Sequence, residues 1–269
     1  MARPFHFSQI QQGTFVPTEY AQSHWGADHL NGPALVGLVA RTLEQEFGRP
    51  EFLPARLTVD LFKAARGVPT TVKLALVRDG RRVRNAECEL IQDGVPIVRA
   101  IMVQYRLSEP PRGREWVPSA SFAGPAARDD DGGVDMGSDE VGWTSAIADH
   151  QNTSRKRFVN RTIDVVEGEH NSPFVRAAMV AEGTSLVTNL GTAGVGYING
   201  DLTVALSRLP RDEWVAVQAD SHWTADGISV GTSTLFDSAG PLGTGMVTAV
   251  ANPGAQIDFA NDPFPDRTR

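Results

Sequence analysis

Residues 197–208 read Tyr197-Ile198-Asn199-Gly200-Asp201-Leu202-Thr203-Val204-Ala205-Leu206-Ser207-Arg208, and the hexamer Asp201–Leu206 has a counterpart 145 positions earlier in Arg56-Leu57-Thr58-Val59-Asp60-Leu61. One short match of this kind arises by chance, but three more follow in the same order. Asp79-Gly80 recurs as Asp226-Gly227, Gly94 recurs as Gly240, and Gly32-Pro33-Ala34-Leu35-Val36 is matched by Gly183-Thr184-Ser185-Leu186-Val187. Repetition at a nearly constant offset marks a duplicated structural unit, so the chain reads as two copies of one module.

Working outward from the hexamers, each copy shows the same order of elements. In the first, Thr14–Trp25 reads as a strand and Pro33–Phe47 as a helix, because Leu35, Leu38, Val39, Leu43 and Phe47 recur at helical spacing. Pro33 suits the first helical turn and Gly48 the end. Four alternating, β-branched runs follow, Arg56–Ala64, Thr71–Arg78, Arg82–Gln92 and Pro96–Arg106, with Asp79-Gly80 and Asp93-Gly94 as hairpin turns. The second copy repeats this as Phe158–Val166, a helix near Phe174–Leu190, then Tyr197–Arg208, Glu213–Trp223, Ile228–Phe236 and Leu242–Ala251. Strand, long helix and antiparallel meander make an α+β fold in which the sheet buries the helix in its concavity. The domains are then residues 1–106, a linker over 107–154, a second module over 155–252 and a tail over 253–269. The linker carries Pro110, Pro111, Pro118, Pro125 and the run Asp129-Asp130-Asp131-Gly132-Gly133, a concentration of breakers that predicts a partly mobile connection.

Composition narrows the function classes. With 41% hydrophobic and 21% charged residues the 269-residue chain is globular, and a net charge of −7 gives no electrostatic reason to bind nucleic acid. No run approaches the roughly 18 to 20 apolar residues that cross a bilayer, and the start lacks the apolar core of a signal peptide, so no membrane partner and a cytoplasmic location are expected. The single cysteine, Cys88, excludes an internal disulfide and a thiolate metal cluster within one chain, and its place between Ala86 and Leu90 in an alternating run predicts a buried thiol. His29, His150 and His170 have no metal-ligand spacing, and Gly191–Gly196 lacks the lysine of a phosphate loop, so neither a metal nor another cofactor is expected.

Phe15-Val16-Pro17-Thr18, Trp25 and His29-Leu30-Asn31-Gly32-Pro33 in the first copy resemble the acyl-CoA thioesterase II-like proteins, which are double hot-dog chains. The second copy resembles them through Tyr197–Val204, Arg208, Glu213-Trp214, Asp226-Gly227, Asp237 and Gly240-Pro241-Leu242-Gly243. The resemblance implies two antiparallel sheets, each wrapped around a long central helix, joined as a pseudo-dimer. It also implies hydrolysis of an acyl-CoA thioester, with the family's water-activating aspartate at Asp201. The counterpart of Asp201 in the first copy is Arg56, so one active site per chain is expected. The family's hydroxyl residue falls on Ser221, or on His222 if the register slips by one. Its glutamine falls near Val247-Thr248, where Thr248 stands instead.

The residues supply further candidates. A helix N-terminus offers unpaired N–H groups to an oxyanion, and Asn31 and Gly32 are the substrate-binding candidates there, since glycine allows close approach. Glu182 either adds charge to the site or is a solvated helix residue. Arg78, Arg81, Arg82 and Arg84 either attract the phosphates of coenzyme A or form a solvated turn. Two other readings stay open: a non-catalytic acyl-binding protein, and a hydratase of enoyl thioesters, which would need a histidine shortly after Asp201 where none occurs. The modules can pair within one chain, so a monomer and a homodimer of double modules are both permitted.

Overall fold

The computed structural model describes residues 3–26, 28–125 and 133–261. The first module contains strands β1 (Phe5–Gln11) and β2 (Thr14–Pro17), helix α1 (Gly32–Phe47), and strands β3 (Phe52–Leu61), β4 (Thr70–Asp79), β5 (Val83–Gln92) and β6 (Val95–Arg106). Helix α1 begins where Asn31 caps it, its side chain accepting the Ala34 N–H with Pro33 in the first turn, and ends where Gly48 donates its N–H to the Glu44 carbonyl. Its apolar stripe, Leu35, Leu38, Val39 and Leu43, is buried with Leu57, Val59, Cys88, Leu90 and Met102 of the sheet.

The second module contains β7 (Gly133–Ser138), β8 (Gly142–Thr144), β9 (Lys156–Arg161), β10 (Asp164–Val166), α2 (Pro173–Glu182) and α3 (Thr184–Asn189). The short pair β11 (Leu190–Gly191) and β12 (Gly194–Val195) follows, then β13 (Tyr197–Asn199), β14 (Asp201–Leu206), β15 (Val215–Ala225), β16 (Ile228–Asp237) and β17 (Gly240–Ala251). Asp93-Gly94 and Asp226-Gly227 are two-residue hairpin turns with both φ values positive, 50° and 75° in the first and 51° and 76° in the second. Asp79-Gly80 is not such a turn. An extra residue lengthens that connection to 80–82, closed by the Gly80 N–H on the Val83 carbonyl.

The structure departs from the sequence-based expectations in three places. The two sheets are one. Among the described residues a single 15-stranded sheet runs β10-β1-β2-β4-β5-β6-β3-β14-β17-β16-β15-β9-β7-β8, with β13 also paired to β17. The modules join where β3 pairs antiparallel with β14, Thr58 opposite Thr203, Leu57 opposite Val204 and Val59 opposite Leu202. Unpaired ladder groups at the edge of each half-sheet are satisfied by the other copy, which is why the sheet continues across the joint.

The second departure concerns the helix of the second module, which starts at Pro173 with Ser172 as its cap and breaks at Gly183. Gly183 is thus the interruption, not the counterpart of Gly32. Its N–H turns back to the Val180 carbonyl, and the Phe158 ring occupies the space a Cβ would need. The local match of Asn31-Gly32-Pro33 is Asn171-Ser172-Pro173. The third departure is the linker: from residue 133 onward it contributes β7 and β8 to the second module's end of the sheet, with Met136 fully buried. The run Asp129–Gly132 lies outside the described residues, as does the tail beyond Asn261.

The helices α1 and α2 lie antiparallel. Gly32 meets Glu182, Gly37 meets Met179, and Ser172 donates its hydroxyl hydrogen bond to the Glu44 carboxylate. Pairing of β1 with β10 in parallel, Phe5 opposite Asp164, ties the chain's start to the second module. Among the described residues no helix is long and apolar enough to cross a membrane.

Candidate active site

The N-terminus of α1 opens at the seam between modules. Asn31 accepts the Ala34 N–H at 2.8 Å and donates to the carbonyls of Tyr20 and Gln22, so its side chain fixes the helix end. Pro33 has no N–H, and the Leu35 N–H bonds the Asn31 carbonyl. The Gly32 N–H is left as the first-turn donor without an acceptor among the described residues.

The end of α2 faces this donor. The Glu182 carboxyl occupies the space a Cβ on Gly32 would fill, so a side chain at 32 would have to displace it. Asn199 donates to Glu182 Oε1 at 3.4 Å and to the Asp201 carbonyl at 3.3 Å, while its own Oδ1 accepts from Ser185 at 3.3 Å. Burial pushes the Glu182 carboxyl up to about 7, against the smaller opposing effect of the Asn199 hydrogen bond. The residue nonetheless keeps partial solvent access.

Asp201 lies one bulge away. Asn199 pairs with Ala249 and Thr203 with Met246, so the β13–β14 segment carries one residue more than β17 opposite it. The Asp201 carboxylate fills the resulting gap in the ladder, accepting the Thr248 N–H at 2.7 Å on Oδ1 and the Thr248 hydroxyl at 2.6 Å on Oδ2. The structure therefore brings Asp201 and Thr248 together. Leu202 and Val204 are buried against the helices, and by strand alternation Asp201 and Thr203 point to the other side of the sheet. Asp201 is thus linked to Glu182 by its carbonyl, through Asn199, while its carboxylate is bonded to Thr248.

Ser221 is held apart from this pair. A second bulge between Ala219 and Ser221 sets Ser221 beside Thr232, hydroxyls 2.7 Å apart, and turns His222 toward α3. His222 Nε2 lies 3.2 Å from Asn189 Oδ1, and its ring meets Tyr197 edge-on at 6.3 Å. Burial and the nearby Lys156 charge lower the His222 pKa. No sequence signal places this bulge, since a bulge leaves composition unchanged.

The arginine cluster splits. Arg84 is buried, bonded to Asp79 and the Phe47 carbonyl. Arg81 and Arg82 join Arg106 around a surface groove of about 650 Å³ with Tyr105 and Leu107. That groove adjoins Arg84 and Gln104, which bond the Phe47 carbonyl at the C-terminal end of α1, whereas Gly32 is at the other end, roughly 22 Å along the helix at 1.5 Å per residue. Among the described residues no group of three metal-ligating side chains occurs. Cys88 is buried, its thiol pushed up to about 12 by burial, which fits a structural thiol.

Comparison with known proteins agrees with this architecture. The family models for an acyl-CoA thioesterase C-terminal domain and N-terminal domain match residues 106–250 and 21–105. A putative thioesterase II from Thermobifida fusca is 14% identical, with 91% of this chain and 96% of that one covered at a TM-score of 0.67. A putative thioesterase from Novosphingobium aromaticivorans is 17% identical, with 92% and 98% covered at 0.65. A conserved protein of unknown function with a hot-dog fold from Alicyclobacillus acidocaldarius is 14% identical, with 91% and 95% covered at 0.58. No curated protein matches the sequence. At these identities the solved structures establish the fold, a hot-dog fold, and no more.

Proposed function

The chain belongs to the acyl-CoA thioesterase family, and from that premise we propose that it hydrolyses an acyl-CoA thioester at the seam where Gly32 meets the second module. The observation that carries this reading is the Gly32 N–H, which has no acceptor among the described residues, with a carboxyl group of the other module against it. The thioester carbonyl accepts the Gly32 N–H, which the α1 dipole strengthens as charge develops on oxygen. Water attacks the carbonyl carbon under the influence of a carboxylate, the tetrahedral intermediate collapses, and the thiol of coenzyme A leaves.

Two carboxyls of the second module are candidates for that water. Asp201 is the one the family pattern names, and each of its oxygens keeps a lone pair beyond its Thr248 bond. Glu182 is the one standing against Gly32. The family's glutamine has no counterpart here, and Thr248 serves as the clamp on Asp201 in its place. The test is release of free thiol from a panel of acyl-CoAs of different chain length by the purified full chain. Turnover is expected, with an Asp201→Ala protein at about a tenth of the rate or less, in line with lost hydrogen-bonded site residues. Binding of acyl-CoA by calorimetry without any thiol release would instead select a non-catalytic acyl-binding protein.

A further inference from the structure

We propose that the sheet end formed by the tip of the β4–β5 hairpin and the end of β6 is a docking face for an anionic lipid surface. Arg78, Arg81, Arg82 and Arg106 supply its charge, and Val77, Tyr105 and Leu107 supply its apolar contacts. The inference goes beyond the thioesterase reading and does not depend on it.

The charge pattern is the first support. The chain carries 32 acidic against 25 basic residues, so carboxylate partners are plentiful. Elsewhere on the same half-sheet Lys73 pairs with Glu89 and Arg99 with Glu87. Among the described residues none of the four arginines at the hairpin tip forms an ion pair. Asp79 is taken by Arg84, and Glu51 adjoins the edge beside exposed Arg49, its carbonyl accepting the Leu107 N–H. Arg82 and Arg106 are held side by side, the Arg106 N–H on the Arg82 carbonyl at 3.0 Å. Like charges on neighbouring strands destabilise a sheet, yet this end keeps them together with no counter-charge.

The local fold sets what the arginines face. The connection 80–82 carries Arg81 and Arg82 past the strand ends. Two residues inward, buried Arg84 donates with Gln104 to the Phe47 carbonyl, which neutralises the partial negative charge at the end of α1. Apolar side chains stand among the arginines: Val77 at the β4 bulge beside Arg78, Tyr105 opposite Val83, and Leu107 after Arg106. They are 61%, 51% and 60% exposed, and the last two line the groove of about 650 Å³ with Arg81, Arg82 and Arg106. The chain leaves the groove at Ser108 and goes on to exposed Trp116 and Val117.

Nucleic acid or an inorganic polyanion would engage the arginines but has no use for exposed Val77 and Leu107. A bilayer interface uses both, since guanidinium groups bond lipid phosphates while aliphatic and aromatic side chains enter among the headgroups. Among the described residues no helix is long and apolar enough to cross a membrane, and surface attachment needs none. The rest of the chain is acidic, so attraction is confined to this face. Roughly 22 Å along α1 separates it from Gly32, which keeps the seam away from the bound surface.

The experiment is co-sedimentation of the full chain with vesicles of phosphatidylcholine alone or with about a third phosphatidylglycerol, at low salt and at about 0.5 M salt, with thermal melts of every variant. The parent is expected to bind the anionic vesicles at low salt and to lose at least tenfold in partitioning at high salt or on phosphatidylcholine alone. Arg82→Ala with Arg106→Ala should lower partitioning about twentyfold, roughly fivefold per arginine. Tyr105→Ser with Leu107→Ser should lower it about tenfold at unchanged salt dependence. Lys73→Ala with Arg99→Ala removes the same charge from ion-paired positions and should stay within about twofold of the parent. A folded Arg82→Ala, Arg106→Ala protein within twofold of the parent overturns the inference, as does an equal loss in the Lys73, Arg99 control. A parent that ignores anionic vesicles also overturns it, and duplex DNA bound through the same arginines would then mark a face for polyanions instead of lipid. Thiol release from acyl-CoA is measured separately, and its presence or absence leaves the vesicle result unaffected.

Discussion

Thr58 and Thr203 face each other across the β3–β14 joint with their hydroxyl oxygens 3.2 Å apart, and they are each other's repeat counterparts, 145 positions apart. Leu57 and Val59 lie opposite Val204 and Leu202, so the pairing exchanges the two copies. The local two-fold relation between modules therefore passes through this threonine pair. Each module completes the other's sheet and presents its helix to the other's helix.

A module separated from its partner exposes the edge of β3 or β14 together with one flank of α1 or α2. Residues 1–106 expressed alone are expected to aggregate or self-pair through β3. Size-exclusion chromatography and circular dichroism check this, and a monomeric, cooperatively folding fragment would refute it.

Gly37 tests the helix seam. A Cβ there would lie 2.7 Å from Val165 Cγ2 and 3.0 Å from Met179 Cγ. Gly37→Leu is expected to lose about 1–3 kcal/mol or more of stability in urea, the usual cost of overpacking. Gly94→Ala, where the space is open but φ is 75°, should lose roughly 1 kcal/mol through backbone strain alone.

Thr248→Val removes the hydroxyl that bonds Asp201 Oδ2 but leaves the Thr248 N–H on Oδ1. A loss of about 1–2 kcal/mol is expected for a hydrogen bond to a charged group, with a smaller fall in thioesterase rate than for Asp201→Ala. Urea titration and the thiol-release assay measure the two effects side by side.

The Glu182 carboxyl links stability to pH. Its pKa is raised from 4.5 to about 7 in the fold, so between those values the folded chain binds more protons than the unfolded one. Stability therefore falls as pH rises through this window and levels off above about 7. Glu182→Gln should remove that fall and exceed the parent's stability at pH 8 by up to about 3 kcal/mol, because a tenfold change in proton affinity between the unfolded and folded chain is worth about 1.4 kcal/mol. His150 and His222, whose pKa values are lowered chiefly by burial, titrate in both proteins, so the difference between parent and variant isolates Glu182. Equal pH slopes for the two proteins would contradict the assignment.

Local features were legible because local rules produce them. The duplication, the helical stripe of α1, its Asn31-Gly32-Pro33 start and the positive-φ hairpins Asp93-Gly94 and Asp226-Gly227 all follow from residue spacing, capping and turn chemistry. Gly32 as a candidate donor was readable for the same reason: glycine and proline at a helix start restrict which N–H groups remain free.

Which way a side chain faces was not legible, because a bulge reverses strand parity without changing composition. The bulge at Gly200–Asp201 sent the Asp201 carboxylate to Thr248, and the one before Ser221 turned His222 toward α3. The break at Gly183 depends on the Phe158 ring, a contact between distant parts of the chain. Sequence alone determined two copies of one module, each with its helix and meander. The tertiary structure decided that their sheets fuse at Thr58 and Thr203 and that Glu182 meets Gly32. Those contacts join residues remote in the chain, and packing across the module seam selects them where periodicity along a strand or helix cannot.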